Sequence, residues 1–195
     1  MKSKVKRTCD WPGVNPLMVH YHDREWGVPL HNDQKLFEFM ILDAFQAGLS
    51  WAIVIKKRKG FEQAFRGFDP KKIARFGARD VKRLLKNEGI IRNRLKILAA
   101  IGNAKQFLAI QKKFGTFNKY IWQFAHGRPI VHRFKKLSEL PAKTKESDAM
   151  SVDLKKRGFK FVGSTICYAF MQAAGMANDH LAHCFRYKEL ARRRR

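Results

Sequence analysis

The sequence predicts an all-α protein of about eight to ten helices, and three observations carry that prediction. Apolar residues recur at spacings of three and four along most of the chain, the strict alternation of a half-buried strand is found nowhere at convincing length, and glycine and proline fall between helical stretches rather than at hairpin spacings. Of 195 residues, 45% are apolar and 12% aromatic, with sixteen Phe and four Trp, so the chain can bury a core and is not a disordered basic segment. No internal repeat interrupts this pattern.

The first thirty residues and the last twenty are the least regular. Between them, Asn32 or Asp33 can cap a helix whose apolar stripe is Leu36, Phe37, Met40, Ile41, Ala44 and Phe45. Asp69-Pro70 is an N-cap followed by proline at the first helical position, opening a short helix that ends near Gly77. A further helix is expected from about Arg79 to Asn87, stopped at Gly89, and a longer one from around Arg92 with Ile97, Ile101, Ala104 and Leu108 on one face. Ser147 can start a helix reaching Gly158, and Gly163-Ser164-Thr165 another reaching Gly175.

Lys and Arg number 41 against 16 Asp and Glu, a formal charge of +25. Such an excess makes a polyanion the expected partner, nucleic acid ahead of an anionic membrane surface, because a basic surface gains affinity by releasing counterions. No apolar run approaches the roughly 20 residues needed to cross a bilayer, and Met1-Lys2-Ser3-Lys4-Val5-Lys6-Arg7 has no apolar stretch for a signal peptide. A soluble, cytoplasmic protein is expected. Three cysteines, far apart, argue against a disulfide framework.

Four residues near the ends form a candidate metal set. His180 and Cys184 are four apart, the spacing that puts two side chains on one face of a helix, and Cys9 and His22 lie in the irregular N-terminal segment. Together they would make a closed Cys2His2 site, which suits a structural Zn2+ clipping the two ends together. Spacing leaves alternatives open: His20 and His183 are rival ligands, and the cysteines can be ordinary core residues.

Trp11, Tyr21, Trp26 and Trp51 concentrate large aromatics in the first fifty-one residues, as core or as surfaces on which bases stack. Asp43 sits among Ile41, Leu42, Ala44 and Phe45, where a carboxyl must be protonated, paired, or held for a ligand. The stretch from Leu84 to Ile97 reads as helix, tight turn at Gly89, helix. Its second helix start and its cations Arg92, Arg94 and Lys96 suit sequence-independent phosphate binding. The run Lys155-Lys156-Arg157-Gly158-Phe159-Lys160 is either a second phosphate contact or a helix end with favourable cations. The four arginines from 192 to 195 read as a solvated tail.

Several separated blocks resemble the bacterial DNA-3-methyladenine glycosylase I family, a zinc-containing branch of the helix-hairpin-helix glycosylases. They are Tyr21-His22-Asp23-Arg24-Glu25-Trp26-Gly27-Val28-Pro29, Gln46-Ala47-Gly48-Leu49-Ser50-Trp51, Gly89-Ile90-Ile91-Arg92-Asn93-Arg94, and the run from Lys155 through Gly163-Ser164-Thr165 to Tyr168. The resemblance implies a helical domain over 9–187, with two lobes and a pocket between them, flanked by a basic extension at 1–8 and a basic tail at 188–195. It implies a monomeric, monofunctional enzyme that flips alkylated adenine out of double-stranded DNA and hydrolyses its N-glycosidic bond. It assigns the zinc ligands to Cys9, His22, His180 and Cys184, pocket walls to Tyr21 and Trp51 with Trp11 and Trp26 beside them, and the DNA grip to Gly89, Ile91, Arg92, Arg94 and Lys96. Like that family, the chain lacks an acid after the hairpin, none occurring from Lys105 to Tyr120, and no lysine is marked for lyase chemistry.

One departure stands out. The family usually carries Glu at the position of Asp43, where the carboxylate reads the amine and N7 edge of the base. Asp is one methylene shorter, about 1.5 Å of reach, and Ala44-Phe45 add bulk. A shifted lesion preference is therefore an alternative, and a non-catalytic zinc-stabilised DNA-binding module is another.

Overall fold

A computed structural model describes residues 8–192, the side chain of Arg192 excepted. Among these residues are ten α-helices: α1 (Pro16–Arg24), α2 (Asp33–Gln46), α3 (Trp51–Ala64), α4 (Pro70–Ile73), α5 (Ala78–Lys86), α6 (Arg94–Phe114), α7 (Phe117–Ile121), α8 (Lys145–Lys156), α9 (Ser164–Ala173) and α10 (Phe185–Arg192). Two strands of two residues each, β1 (Ile130–Val131) and β2 (Ala177–Asn178), pair in parallel with Ile130 opposite Ala177. They are too short to show alternation, which is why no strand signal stands out in the sequence. No helix among the described residues is long and apolar enough to cross a membrane.

Helix α2 is the axis of the core. Every residue from Leu36 to Phe45 is buried, so its periodicity is that of a helix surrounded by others rather than of a surface helix. α3, α6, α7 and α9 pack around it. Aromatic rings fill the interfaces: Phe37 lies 4.8 Å from Phe107, Phe107 4.1 Å from Phe117, and Phe45 4.8 Å from Phe61. Asn32 is the N-cap, accepting from the Lys35 N–H at 3.0 Å. Asp33 instead caps α7 from across the fold, accepting from the N–H groups of Phe117 and Asn118 at 2.8 Å.

Other ends follow local chemistry. Asp69 caps α4 with Pro70 at the first position, as the sequence predicts, although this helix ends at Ile73. α8 starts before the expected Ser147: Thr144 is the cap, and Ser147 completes a reciprocal capping box with it.

The ends of the chain are more regular than expected. Asn15 accepts from the Leu17 N–H and Pro16 occupies the first helical position, so the segment carrying His22 is helix α1. His180 and Cys184, conversely, do not share a helix. They lie in the turn before α10, closed by the Cys184 N–H donating to the Leu181 carbonyl at 2.7 Å. α10 also runs through the expected basic tail as far as Arg192, buries Leu190, and packs beside Gly27. The expected extension at Lys2 to Arg7 and the last three arginines lie outside the described residues.

Candidate functional site

Cys9, His22, His180 and Cys184 come together, all buried, with one ligand atom from each within 4.8 Å of the others. The closest separations are 3.1 Å from His180 Nδ1 to His22 Nε2, 3.6 Å from Cys184 Sγ to each of those nitrogens, and 3.8 Å from Cys9 Sγ to His180 Nδ1. Bonds of about 2.0–2.3 Å to a tetrahedral ion make edges of about 3.3–3.8 Å. The set therefore has the size of a metal coordination shell.

The outward-facing nitrogens are engaged as ligand histidines require. His22 Nδ1 lies 2.7 Å from Asp23 Oδ1 and His180 Nε2 lies 3.0 Å from the Trp26 carbonyl. The Leu181 N–H donates to Cys9 Sγ at 3.3 Å. Hydrogen bonding from Cys9 draws the Cys184 thiol down while the same pairing, with burial, pushes Cys9 up. Of the rivals, His183 lies outside the set, with Nε2 3.2 Å from the Thr8 carbonyl.

This cluster sets the walls of a neighbouring cavity. Trp11 is two residues from Cys9, Tyr21 adjoins His22, and Trp26 meets His180 through its carbonyl. The cavity holds about 240 Å³ and is lined by Trp11, Tyr21, Trp26, Trp51, Asp43 and Gln46, with Leu137, Leu140, Ala169 and Gln172 closing it. The rings brace one another: Trp11 and Trp26 are 5.0 Å apart edge to face, Tyr21 and Trp51 5.3 Å apart. All five residues singled out in the sequence for the pocket are thus brought together. Gln46, Gln172 and the two leucines were missed, because an amide or a leucine on a helix or loop carries no signal of its own.

Three buried polar atoms in this lining have no hydrogen-bond partner among the described residues: Asp43 Oδ2 and the indole nitrogens of Trp11 and Trp51. Asp43 is 2% exposed, and burial pushes its carboxyl well above the usual carboxylate range. Such orphans are rare in folded proteins and costly to leave unmade. One acceptor or acid and two N–H donors, carried by residues that line an aromatic slot, suit a site for a flat, polar-edged ligand. A larger groove of about 780 Å³ between α5 and α6 is floored by apolar side chains and holds none of the orphaned atoms.

The hairpin contributes no residue to this slot. Gly89 and Arg92 are exposed and Ile91 is half-buried in the turn joining α5 to α6, and Arg94, also exposed, is the first residue of α6. Among the described residues the N–H groups of Ile91 and Arg92 make no hydrogen bond. Lys96 does not belong with them. It is 6% exposed and its ammonium donates to the Phe45 and Ala47 carbonyls at 2.8 and 2.6 Å, so it caps the C-terminal end of α2 and cannot reach a phosphate. Arg58 and Arg157 are likewise committed, to Glu25 with Glu38 and to Asp153 respectively.

The model of the methyladenine glycosylase family matches residues 11–187. The chain belongs to that family. It is 49% identical to DNA-3-methyladenine glycosylase 1 of Escherichia coli (strain K12), covering 92% of this chain and 96% of that one. It is 48% identical to the DNA-3-methyladenine glycosylase of Haemophilus influenzae over 90% of its length and 95% of the relative's. Among solved structures, a crystal structure of 3-methyladenine DNA glycosylase I superposes with a TM-score of 0.90 at 49% identity, covering 92% of this chain and 98% of that one. A variant of such an enzyme in complex with 3-methyladenine superposes with 0.88 at 33% identity, covering 91% and 96%. The glycosylase family resemblance and the all-helical fold read from the sequence are both borne out.

Proposed function

We propose that this protein is a monofunctional base-excision repair enzyme that releases 3-methyladenine from alkylated double-stranded DNA. The observation that carries the reading is the aromatic slot in which one carboxyl and two indole N–H groups stand without partners, in a chain of this family. Alkylation at N3 leaves the base cationic while it is bound to sugar. A cation stacks favourably on electron-rich rings, and Trp51, Tyr21, Trp11 and Trp26 supply them. The positive charge also makes the base a good leaving group: the glycosidic bond breaks with its electron pair going to the base, which becomes neutral. Water then adds to the sugar carbon and loses a proton to solvent. Among the described residues no lysine lines the cavity, in keeping with hydrolysis rather than lyase chemistry.

Asp43 meets the edge of the base. Burial raises the pKa of its carboxyl and favours the neutral acid, whereas a cationic base beside it favours ionisation and makes the carboxylate the counter-ion of its ligand. Gly89, Ile91, Arg92 and Arg94 grip the phosphates flanking the everted nucleotide, and the remaining positive charge serves non-specific search along the duplex. Cys9, His22, His180 and Cys184 would hold a Zn2+ ion whose part would be structural, since a site closed by four protein ligands would leave no position for substrate. Residues 9–187 supply pocket, grip and clip, and the protein acts as a monomer in the cytoplasm.

Incubation with methylated duplex DNA and identification of the freed base test this directly. Predominant release of 3-methyladenine is expected. Predominant release of another alkylated purine would mean that the shorter Asp43 has shifted the preference, and binding without any release would leave a non-catalytic module.

A further inference from the structure

Gln172 stands near the C-terminal end of α9 and lines the cavity beside Ala169. Its amide has two ends of opposite polarity, and one is already committed: Nε2 donates to Asp179 Oδ2 at 2.7 Å. The same oxygen accepts the Tyr168 hydroxyl at 2.5 Å, while Asp179 Oδ1 lies 2.6 Å from His132 Nδ1. Asp179 is buried. An oxygen that accepts two donors cannot face a carbonyl, so the amide cannot turn over without setting acceptor against acceptor. The bond to Asp179 uses one of the two Nε2 hydrogens, and Oε1, which accepts no hydrogen bond among the described residues, is the free acceptor that Gln172 can offer.

The backbone around it is equally fixed. The Gly27 N–H donates to the Gln172 carbonyl at 2.9 Å and the Leu30 N–H to that of Ala174 at 3.0 Å. Gly175, at φ +66°, lies so close to the segment after Trp26 that a Cβ there would collide with the Val28 carbonyl. An acceptor held this firmly is preorganised, needing no rearrangement when a ligand arrives. Gln46, the other amide in the lining, has no side-chain hydrogen bond among the described residues to fix which end it presents.

Adenine carries an exocyclic amine, a donor, where guanine carries a carbonyl oxygen, an acceptor. We propose that Gln172 is a specificity-determining residue, its Oε1 accepting a hydrogen bond from the exocyclic amine of the everted base and so selecting N3-alkylated 6-aminopurines over 6-oxopurines. The assignment rests on the excision reading above. It gives the pocket a second edge-reading group beside Asp43, whose side chain is one methylene shorter than the Glu usual in the family.

The test measures release of 3-methyladenine and 3-methylguanine from the same methylated duplex by the full chain and by Gln172→Met. The variant is expected to lose about tenfold in kcat/KM for 3-methyladenine, and its preference for 3-methyladenine over 3-methylguanine should fall by at least that factor. A folded variant with the wild-type preference overturns the proposal. Should Gln172→Met fail to fold, wild-type protein with 13C-labelled glutamine carbonyls is titrated with free 3-methyladenine and with 3-methylhypoxanthine. A shift of the Gln172 side-chain carbonyl with the first base only supports the assignment; equal shifts, or none, overturn it. If the wild-type protein releases no alkylated purine, the excision reading has failed, and the carbonyl titration alone decides whether Gln172 reads an amine.

Discussion

The Cys2His2 cluster and the aromatic cavity share a wall but follow opposite rules. In the cluster each ligand atom faces other ligand atoms, and each histidine's second nitrogen has a partner in Asp23 or the Trp26 carbonyl. In the adjoining cavity, Asp43 Oδ2 and the indole nitrogens of Trp11 and Trp51 have none. A closed, satisfied set holds shape; an open set stores unmet hydrogen bonds that only a ligand satisfies. Stability and recognition are thus carried by neighbouring residues with separable chemistry: Cys9 close to Trp11, His22 next to Tyr21.

Breaking the closed half should have the largest effect. Stripping the metal with a chelator, or Cys184→Ser, is expected to lower stability by at least about 3 kcal/mol, since structural metal sites contribute folding free energy directly. Thermal unfolding with and without chelator, alongside the metal content of the purified protein, checks this. An unchanged melting temperature in metal-free protein would mean that the cluster is an ordinary buried set and the comparison fails.

Breaking the open half should do the reverse. Asp43→Asn is expected to lower 3-methyladenine release at least tenfold, about 1.4 kcal/mol, with no fall in melting temperature, because the acid makes no bond in the empty protein that the amide would forfeit. The pH dependence sharpens the contrast. Below the usual carboxylate range both folded and unfolded chains hold the proton. Above it the unfolded chain ionises freely while the buried group, whose pKa burial raises, keeps its proton, so stability falls with rising pH until the raised pKa is passed. Asp43→Asn should flatten that part of the stability profile. If activity is retained, Asp43 is not the edge-reading group.

How much of this is legible in the sequence depends on whether local rules or tertiary contacts decide the matter. Asn32, Asp69-Pro70 and the glycine turn at Gly89 act through their nearest neighbours, and α2, α4 and α5 start close to where the pattern puts them, although α4 stops at Ile73, short of Gly77. The residues of the Cys2His2 cluster are recognisable by type, yet the i, i+4 spacing of His180 and Cys184 misleads: they converge through a turn, not along a helix face. Asp43 is conspicuous because a charge in an apolar run is anomalous whatever the fold. Gln172 is invisible because its role depends on Asp179, Tyr168 and the Gly27–Leu30 segment, none of which a helical pattern predicts.

Lys96 shows the same limit, and it tests whether cavity and hairpin are mechanically joined. Counted with its neighbours it is one more cation on a phosphate-binding turn; in the fold its ammonium ties α6 to the last carbonyls of α2, the helix that carries Asp43 and Gln46. Lys96→Met keeps much of the stem but leaves two carbonyls unpaired. A loss of about 1–3 kcal/mol in stability is expected, with a fall in base release. Melting curves check the first, and release assays below the melting range the second. Full activity in a destabilised variant would show that α2 holds the cavity in place without this tether.

The smallest effects should come from the hairpin's exposed cations, which touch neither the satisfied cluster nor the orphaned atoms of the cavity. Arg92→Ala and Arg94→Ala are each expected to reduce the slope of log affinity against log salt by about 0.9 for every phosphate that the arginine neutralises. Binding of free 3-methyladenine, which has no phosphate, should be unchanged. The two readouts together separate grip from recognition: DNA affinity measured across a salt series moves, while quenching of tryptophan fluorescence by the free base does not. If either variant weakens free-base binding, the turn is coupled to the cavity through α3. The contact for that coupling is in place, since Gly60 of α3 lies so close to the hairpin that a Cβ there would collide with the Gly89 carbonyl oxygen, and Lys57 donates to the Glu88 carbonyl at 2.5 Å.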